Sequence, residues 1–261
     1  MKAGVLTFLV LLATVARPQQ TPTATVQAAP NARVVPPPPN YAYPLGRTYT
    51  YAVEWHLVPA GTATVKMEAA GAEHRVVAFG ASSGVVNLLY PVNDRFEAKF
   101  DPRTICSTEI FKHSEEGSHQ RETRIRFENV ARKSILDEKN LKTGETKHVE
   151  NDLPGCVTDV MTGFYYLASL PLQPGAEHRF LLSDGGKTAL VAATVEGREV
   201  IKSPAGTFST IRVAAEAASG SLVGKGKIWV WFTDDASHTP VQMRAKLTWG
   251  SLLFHLTKIE H

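Results

Sequence analysis

Large apolar side chains alternate with smaller or polar ones along much of this chain. The alternation is clear over residues 49–57, 63–69, 96–100 and 123–127. A period of two places every second side chain on the same face of a strand, as in a half-buried sheet. Pro59-Ala60-Gly61 separates the first two of these runs and predicts the turn of a hairpin.

Turn-forming residues recur at strand-length intervals through the rest of the chain. They are Glu116-Gly117-Ser118, Thr143-Gly144-Glu145, Asp184-Gly185-Gly186, Gly197, Pro204-Ala205-Gly206 and Asp234-Asp235. Regularly spaced hairpin turns are typical of antiparallel barrels and sandwiches. We expect the last three strands over residues 227–233, 241–249 and 252–259. The pattern predicts an all-β, mainly antiparallel chain that forms a single curved-sheet domain of the barrel or sandwich kind.

One segment has helical spacing instead. Its apolar positions are Val157, Val160, Met161, Phe164, Leu167 and Ala168. Thr158 or Asp159 can cap its start, and Pro171 cannot continue a helix. We therefore predict one principal helix near residues 157–169, buried against the β scaffold. Residues 84–91 form a short apolar run that fits either a strand or one helical turn.

The first 45 residues differ from the rest. After Met1-Lys2 comes an apolar run over residues 3–16, shorter than the roughly 20 residues that span a bilayer as a helix. It ends in small residues, which indicates a signal peptide over residues 1–16; a retained anchor is the alternative. Residues 17–45 include four consecutive prolines and predict a disordered linker before a β domain over residues 46–261. We expect a periplasmic or secreted protein without a transmembrane span after signal removal.

Composition predicts a substantial hydrophobic core and one disulfide. The chain has 261 residues, of which 43% are hydrophobic, which is enough for a substantial core. A net charge of +3 gives no indication of a nucleic-acid partner. Cys106 and Cys156 form the only cysteine pair, and an oxidising compartment predicts that they are bonded. Closing a loop of this length contributes about 4 kcal/mol in the chain-entropy description.

Sequence motifs for catalysis are weak. Residues 80–84 match the G-x-S-x-G pattern of a nucleophile elbow, but Pro91 limits any following helix to less than two turns, so a turn is the better interpretation. The nine histidines show no metal-ligand spacing, and neither a metal nor another cofactor is predicted. Adjacent Asp234 and Asp235 point to opposite faces in an extended chain. The basic residues over 121–133 alternate with glutamates, which is typical of a solvated face with cross-strand pairs.

Aromatic side chains are the candidate binding residues. They are Trp55, Tyr165, Tyr166, Trp229 and Trp231. Core packing is the ordinary role of such residues. If the interior is not completely filled, however, the remaining space would be apolar and suited to an acyl chain or a similar molecule.

Several segments together resemble a known family. They are residues 90–97, residues 164–167 followed by Pro171-Leu172 and Gly175, residues 197–199 leading into 203–208, and residues 228–231 leading into 233–235 and Pro240-Val241. In that order they resemble the DUF3108 family, bacterial exported proteins of unknown function, over residues 46–256. Ala168 departs from the resemblance, which leads us to expect a basic residue there. The resemblance implies export, one domain and a β-rich fold, and it assigns no catalytic residue.

Two functional hypotheses follow. The first is a non-enzymatic envelope protein that binds an apolar ligand or a protein or other envelope partner, and it is favoured because no residue spacing demands chemistry. The alternative is an exported hydrolase of polysaccharide or lipid that uses acidic residues from Asp94, Asp159, Asp234 and Glu199. A concave pocket with two inward carboxylates would favour the enzyme, and an apolar cavity would favour binding.

Overall fold

A computed structural model of the chain describes residues 32–219, 223–224, 226–248 and 250–261. Its elements, in chain order, are β1 (Thr48–Trp55), β2 (Val58–Ala70), β3 (Glu73–Ser82), α1 (Gly84–Leu89), β4 (Val92–Phe100), β5 (Ser107–Glu116), β6 (His119–Glu128), β7 (Lys133–Asn140), β8 (Thr146–Asp152), α2 (Val160–Ser169), β9 (Glu177–Ser183), β10 (Thr188–Ser203), β11 (Gly206–Ala217), β12 (Gly226–Thr233), β13 (Pro240–Leu247) and β14 (Gly250–Glu260). The predicted signal peptide, residues 17–31 of the predicted linker and Trp249 lie outside the described residues.

The strands form one antiparallel sheet in the order β8-β7-β6-β5-β4-β3-β2-β1-β14-β13-β12-β11-β10-β9. Strands that are neighbours in sequence pair with each other, except β8 and β9, and the first and last strands meet in the middle, where Tyr49 lies opposite Ile259. The edge strands β8 and β9 are therefore consecutive in the chain but lie at opposite ends of the sheet. They do not pair with each other, so the curved sheet is not closed. The prediction of an all-β antiparallel domain is confirmed.

The connection between β8 and β9 joins β5 to the edge strand β9. On one side, Ser107 N of β5 donates to Val157 O at 2.9 Å. On the other side, Thr158 N donates to Leu181 O of β9 at 2.9 Å, and Ser183 N donates to Thr158 O at 2.8 Å. Backbone hydrogen bonds to this connection therefore link the two halves of the sheet, although β8 and β9 do not pair.

The predicted helix is present as α2, with Asp159 as its N-cap. Asp159 Oδ1 accepts hydrogen bonds from Met161 N at 2.7 Å and Thr162 N at 3.1 Å, which satisfies two amides that have no partner within the helix. The helix begins after Val157 and Thr158 because those residues are extended and bonded to β5 and β9. It therefore starts slightly later than the predicted residue 157.

The core surrounds α2. Most side chains from Thr162 to Ser169 are buried, so the helix is covered on nearly every face. The main cluster combines Tyr165, Tyr166, Leu167, Leu170 and Leu172 with Met67, Val76, Phe100, Phe180, Val195, Val213, Val230 and Phe232 from the strands. A second cluster contains Ile110, Ile125, Phe127, Leu153, Val157 and Leu181. Removing this apolar surface from water holds the sheet curved around the helix.

The first hairpin turns at a different place from the one predicted. Its turn residues are His56 and Leu57, with φ of 49° and 69°, and β2 already begins at Val58. Two-residue turns with positive φ match the twist of paired strands, which explains this choice. The expected turn over residues 59–61 instead lies within β2. Gly61 is needed there because a Cβ would come within 2.1 Å of Ala81 O.

The structure also describes residues 84–91 and residues 32–45, whose conformation the sequence pattern alone does not determine. The apolar run at residues 84–91 forms the short helix α1 rather than a strand. The described part of the predicted linker, residues 32–45, lies against the sheet, because Ala32 and Val34 are buried and Tyr43 packs on the main cluster. Tyr43 Oη also donates to Pro102 O at 3.0 Å.

The predicted disulfide is confirmed. Cys106 and Cys156 are bonded, with their Cα atoms 5.3 Å apart. The bond ties the loop before β5 to the connection that leads into α2. It therefore reinforces the same junction as the hydrogen bond from Ser107 to Val157.

We predict that the double change Cys106→Ser/Cys156→Ser lowers the free energy of unfolding by about 4 kcal/mol, because the loop is then open in the unfolded chain. Urea denaturation of the variant and the wild type measures the difference. Reduced wild-type protein is the control and should match the variant. A loss below about 1 kcal/mol would show that the disulfide does not constrain the unfolded chain.

Candidate functional site

Tyr165 and Tyr166 belong to the core rather than to a ligand site. Both are buried on α2, and the Tyr166 ring lies 4.9 Å from the ring of Phe180. Tyr166 Oη accepts a hydrogen bond from Val35 N at 3.4 Å, so its polar end also has a partner. These tyrosines therefore fill the space in which an apolar ligand was expected.

Trp229 and Trp231 lie on the opposite face of the sheet from α2. Val230 and Phe232 of the same strand pack into the main cluster, and neighbouring residues of a strand face opposite sides. Trp231 Nε1 donates to Glu199 Oε1 at 2.8 Å. The two tryptophans thus pack on the outer face and do not line the interior.

Trp55 occupies a third place, at the end of β1. It packs with Ala60, Val86 and Tyr90 beneath α1. The five predicted binding residues are therefore not brought together into one site.

The candidate carboxylates are also separate. Asp159 caps α2, and Asp94 accepts a hydrogen bond from Glu115 N at 3.0 Å on β4 and β5. Asp234 pairs with Arg198 at 2.7 Å and Glu199 pairs with Arg212 at 3.0 Å, so an arginine already occupies an oxygen of each carboxylate. Among the described residues, these four acids do not converge on a shared cleft.

Three further features of the described residues concern metal binding, membrane spanning and a candidate nucleophile. No group of three or more His, Cys, Asp or Glu side chains there is placed to hold a metal ion. No helix in the described ranges has the length and apolar character needed to cross a membrane. Ser82, in the G-x-S-x-G pattern, donates to Asn87 Oδ1 at 2.8 Å and accepts from Val92 N at 2.8 Å. This serine therefore stabilises the turn around α1.

A cleft of about 290 Å³ lies on the outer face of β3 to β6. It is lined by Arg75, Arg95, Glu97, Lys99, Glu109, Phe111 and Arg124. The sequence pattern predicts that the basic residues over 121–133 form cross-strand pairs on a solvated face. Those pairs exist, for example between Arg121 and Glu138 at 3.3 Å. The cleft was missed because its residues come from four strands whose register the sequence does not reveal.

An inward-facing lysine lies on the other side of the same sheet. Lys112 of β5 shares its face with buried Ile110, and its Nζ lies 5.3 Å from the centre of the Phe96 ring. Burial lowers the pKa of Lys112, while nearby Asp184, Asp159 and Glu138 oppose the shift. Across the described residues, its ammonium group has no hydrogen-bond or ion-pair partner within range.

An exposed apolar patch occupies the end of the sheet where β1 meets β2. Leu57 in the turn is 84% exposed, and Leu88 and Leu89 of α1 are 83% and 77% exposed. Val58 and Val85 add to the patch. The turn and α1 are neighbours, since Ser83 N donates to Ala60 O at 2.9 Å and Val86 packs on Ala60. We call these five residues the apolar patch.

Comparison with known proteins identifies the family. Residues 50–257 match the model of DUF3108, a family of unknown function. The chain belongs to the DUF3108 family. Among curated proteins there is no significant match.

One solved structure supports the fold of this DUF3108 protein. A crystal structure of a β-barrel-like DUF1849 protein from Brucella abortus has 8% identity and a TM-score of 0.59, with 88% of this chain and 98% of that chain covered. A candidate exported protein with a YmcC-like fold from Bacteroides fragilis has 9% identity, a TM-score of 0.31 and coverages of 88% and 100%. Because the sequence identity is only 8%, the similarity to the DUF1849 protein concerns the fold alone. The similarity to the Bacteroides fragilis protein is too low to support a conclusion about the fold.

We predict that Lys112→Met raises the stability of this DUF3108 protein at pH 7 by roughly 1 kcal/mol, because an apolar side chain of similar length replaces an unpaired, partly buried charge. The unfolded lysine holds its proton up to about pH 10.5, whereas the folded one releases it at lower pH. Wild-type stability should therefore rise with pH between those two pKa values, relative to the variant.

Urea denaturation at pH 7, 8 and 9 measures this difference. Lys147→Met is the control, since Lys147 is exposed on β8 and should give the same pH dependence as the wild type. A Lys112→Met variant that is less stable than the wild type at every pH would contradict the prediction.

Proposed function

We propose that this protein is an exported envelope protein that acts by binding rather than by catalysis, and that its partner is the surface of a lipid bilayer. Residues 1–16 serve as its signal peptide in this proposal, and the periplasm is its compartment. The disulfide between Cys106 and Cys156 supports export, because such bonds persist in oxidising compartments.

The observation that carries the proposal is the apolar patch. Leu57, Leu88 and Leu89 project from a tight turn and a short helix, and each is more than three-quarters exposed. Contiguous exposed apolar side chains of this size mark interaction sites. A projecting shape suits insertion between lipids better than it suits a flat protein surface, since the tips enter the bilayer without needing a matching groove.

The residues beneath the patch support it from below. Trp55 and Tyr90 pack with Ala60 and Val86 under the patch. Their polar ends face the protein, because Trp55 Nε1 is buried and Tyr90 Oη donates to Glu116 O at 3.3 Å. In this proposal the exposed leucines alone enter the bilayer, on a base that the two aromatic rings hold in place.

The expected strength of binding follows from the size of the patch. Full burial of one leucine side chain contributes about 1.5–3 kcal/mol, so three leucines give a modest total before the cost of association. The binding should therefore be weak and reversible. An interior apolar ligand is less favoured because Tyr165, Tyr166 and Leu167 fill the space around α2.

We predict that Leu88→Asp and Leu57→Asp each lower binding to phosphatidylcholine vesicles at least tenfold, because a charged side chain resists entry into the bilayer. Co-sedimentation of purified protein with the vesicles measures the binding. Val130→Asp is the matched control, because Val130 is fully exposed in the β6–β7 turn, away from the patch, and should bind like the wild type.

Two results would contradict the proposal. One is that folded wild-type protein fails to sediment with vesicles at millimolar lipid. The partner of the patch would then be a protein and not a bilayer. The other is an equal loss of binding in Val130→Asp, which would show that the vesicles bind apolar side chains anywhere on the surface.

A further inference from the structure

We propose that the cleft on the outer face of β3 to β6 binds a sugar that carries a phosphate or a carboxylate group. This site is separate from the apolar patch, and the proposal does not rest on membrane binding. The cleft volume of about 290 Å³ lies at the lower end of the roughly 300–1,000 Å³ that small-molecule sites occupy. A single sugar ring with one charged substituent suits that volume.

The charge of the cleft selects an anion. Its lining contains the four cations Arg75, Arg95, Lys99 and Arg124 and two carboxylates, and Glu68 beside the cleft pairs with Arg75 at 2.7 Å, so one positive charge is in excess. The chain as a whole carries only +3. One positive charge of this net excess therefore lies in the cleft, where it would attract an anion.

The two carboxylates organise the cations without using up their donors. Glu97 contacts Arg95 at 2.5 Å and Arg75 at 3.5 Å, and Glu109 contacts Lys99 at 2.9 Å. Each guanidinium has five N–H donors, and these contacts use few of them. The remaining donors are available to a phosphate or carboxylate, which arginine recognises with paired hydrogen bonds.

Arg124 is the least constrained of the four cations. Its nearest carboxylate contact, to Glu109, is 3.6 Å, which is longer than a hydrogen bond. Its guanidinium carbon lies 5.8 Å from the centre of the Phe111 ring, on the strand beside it. Phe111 therefore holds Arg124 over the cleft, and we assign Arg124 the role of the main anion contact.

The rest of the lining fits the sugar itself. Phe111 supplies an apolar ring on which the C–H face of a sugar can rest, and Glu97 and Glu109 supply acceptors for hydroxyl groups. A bare phosphate would use neither feature. The combination of guanidinium donors, carboxylate acceptors and one aromatic ring therefore favours an anionic sugar over a simple anion.

Calorimetric titration of the full chain with glucose 6-phosphate and with galacturonic acid tests this proposal. We expect binding of at least one of the two, weakened by added salt, with glucose alone at least tenfold weaker. Inorganic phosphate is the probe for the bare anion. If phosphate binds as tightly as the sugars, or if neither sugar binds at millimolar concentration, the proposal is wrong.

Substitutions of single arginines test whether the sugar binds in the cleft. Arg124→Ala should lower the affinity at least tenfold, and thermal unfolding checks that the variant is folded. Arg126→Ala is the matched control, since Arg126 lies on the same face of β6 but pairs with Asp137 at 3.5 Å outside the cleft. Equal losses in both variants would indicate general attraction by a basic face and would overturn the assignment. Should Arg124→Ala unfold, Arg95→Ala replaces it with the same expected loss.

Comparing binding to vesicles with binding in solution distinguishes an anionic sugar on a membrane from a free one. Vesicles that contain a phosphorylated glycolipid present the anionic sugar on a membrane, and free glucose 6-phosphate presents it in solution. Loss of both kinds of binding in Arg124→Ala, with binding to plain phosphatidylcholine vesicles unchanged, would assign the cleft to the sugar from either source. Arg124→Ala protein that binds the glycolipid vesicles as tightly as the wild type would contradict the glycolipid source.

Discussion

Asp159 connects three parts of the molecule through one residue. Its Oδ1 caps α2, its Oδ2 accepts from Ser107 Oγ at 2.7 Å, and its backbone N donates to the same Ser107 Oγ at 2.7 Å. Thr158, the preceding residue, is bonded to β9. The start of the helix and the two halves of the open sheet are therefore joined at one buried point, and the packing around α2 depends on it.

Sequence patterns predicted the features that depend on local rules. The period of two, the helical spacing before Pro171, a cap at Thr158 or Asp159 and the single cysteine pair each have a direct physical signature. Each is present in the structure, with Asp159 as the cap. The first turn escaped prediction because Pro59 and Gly61 look like turn residues. Their actual roles are set by the neighbouring strand, which a local pattern does not contain.

The candidate site was harder to predict for a related reason. In β12 both faces carry large apolar side chains, so alternation alone does not tell whether Trp229 and Trp231 or Val230 and Phe232 face the core. Val230 and Phe232, the smaller pair, fill the interior beside α2, so Trp229 and Trp231 lie on the outer face of the sheet. The surface features on which the proposed function rests come from segments distant in sequence, and only the register of the sheet brings them together.

Hydrogen exchange in an Asp159→Ala variant tests the role of this residue most directly. If Asp159 holds β5 and β9 together, the amides of Ser107, Thr158 and Ser183 should lose protection by a similar factor, because they open in one cooperative step. If only the amides of Met161 and Thr162 at the start of α2 lose protection, Asp159 is merely a helix cap and the account is wrong.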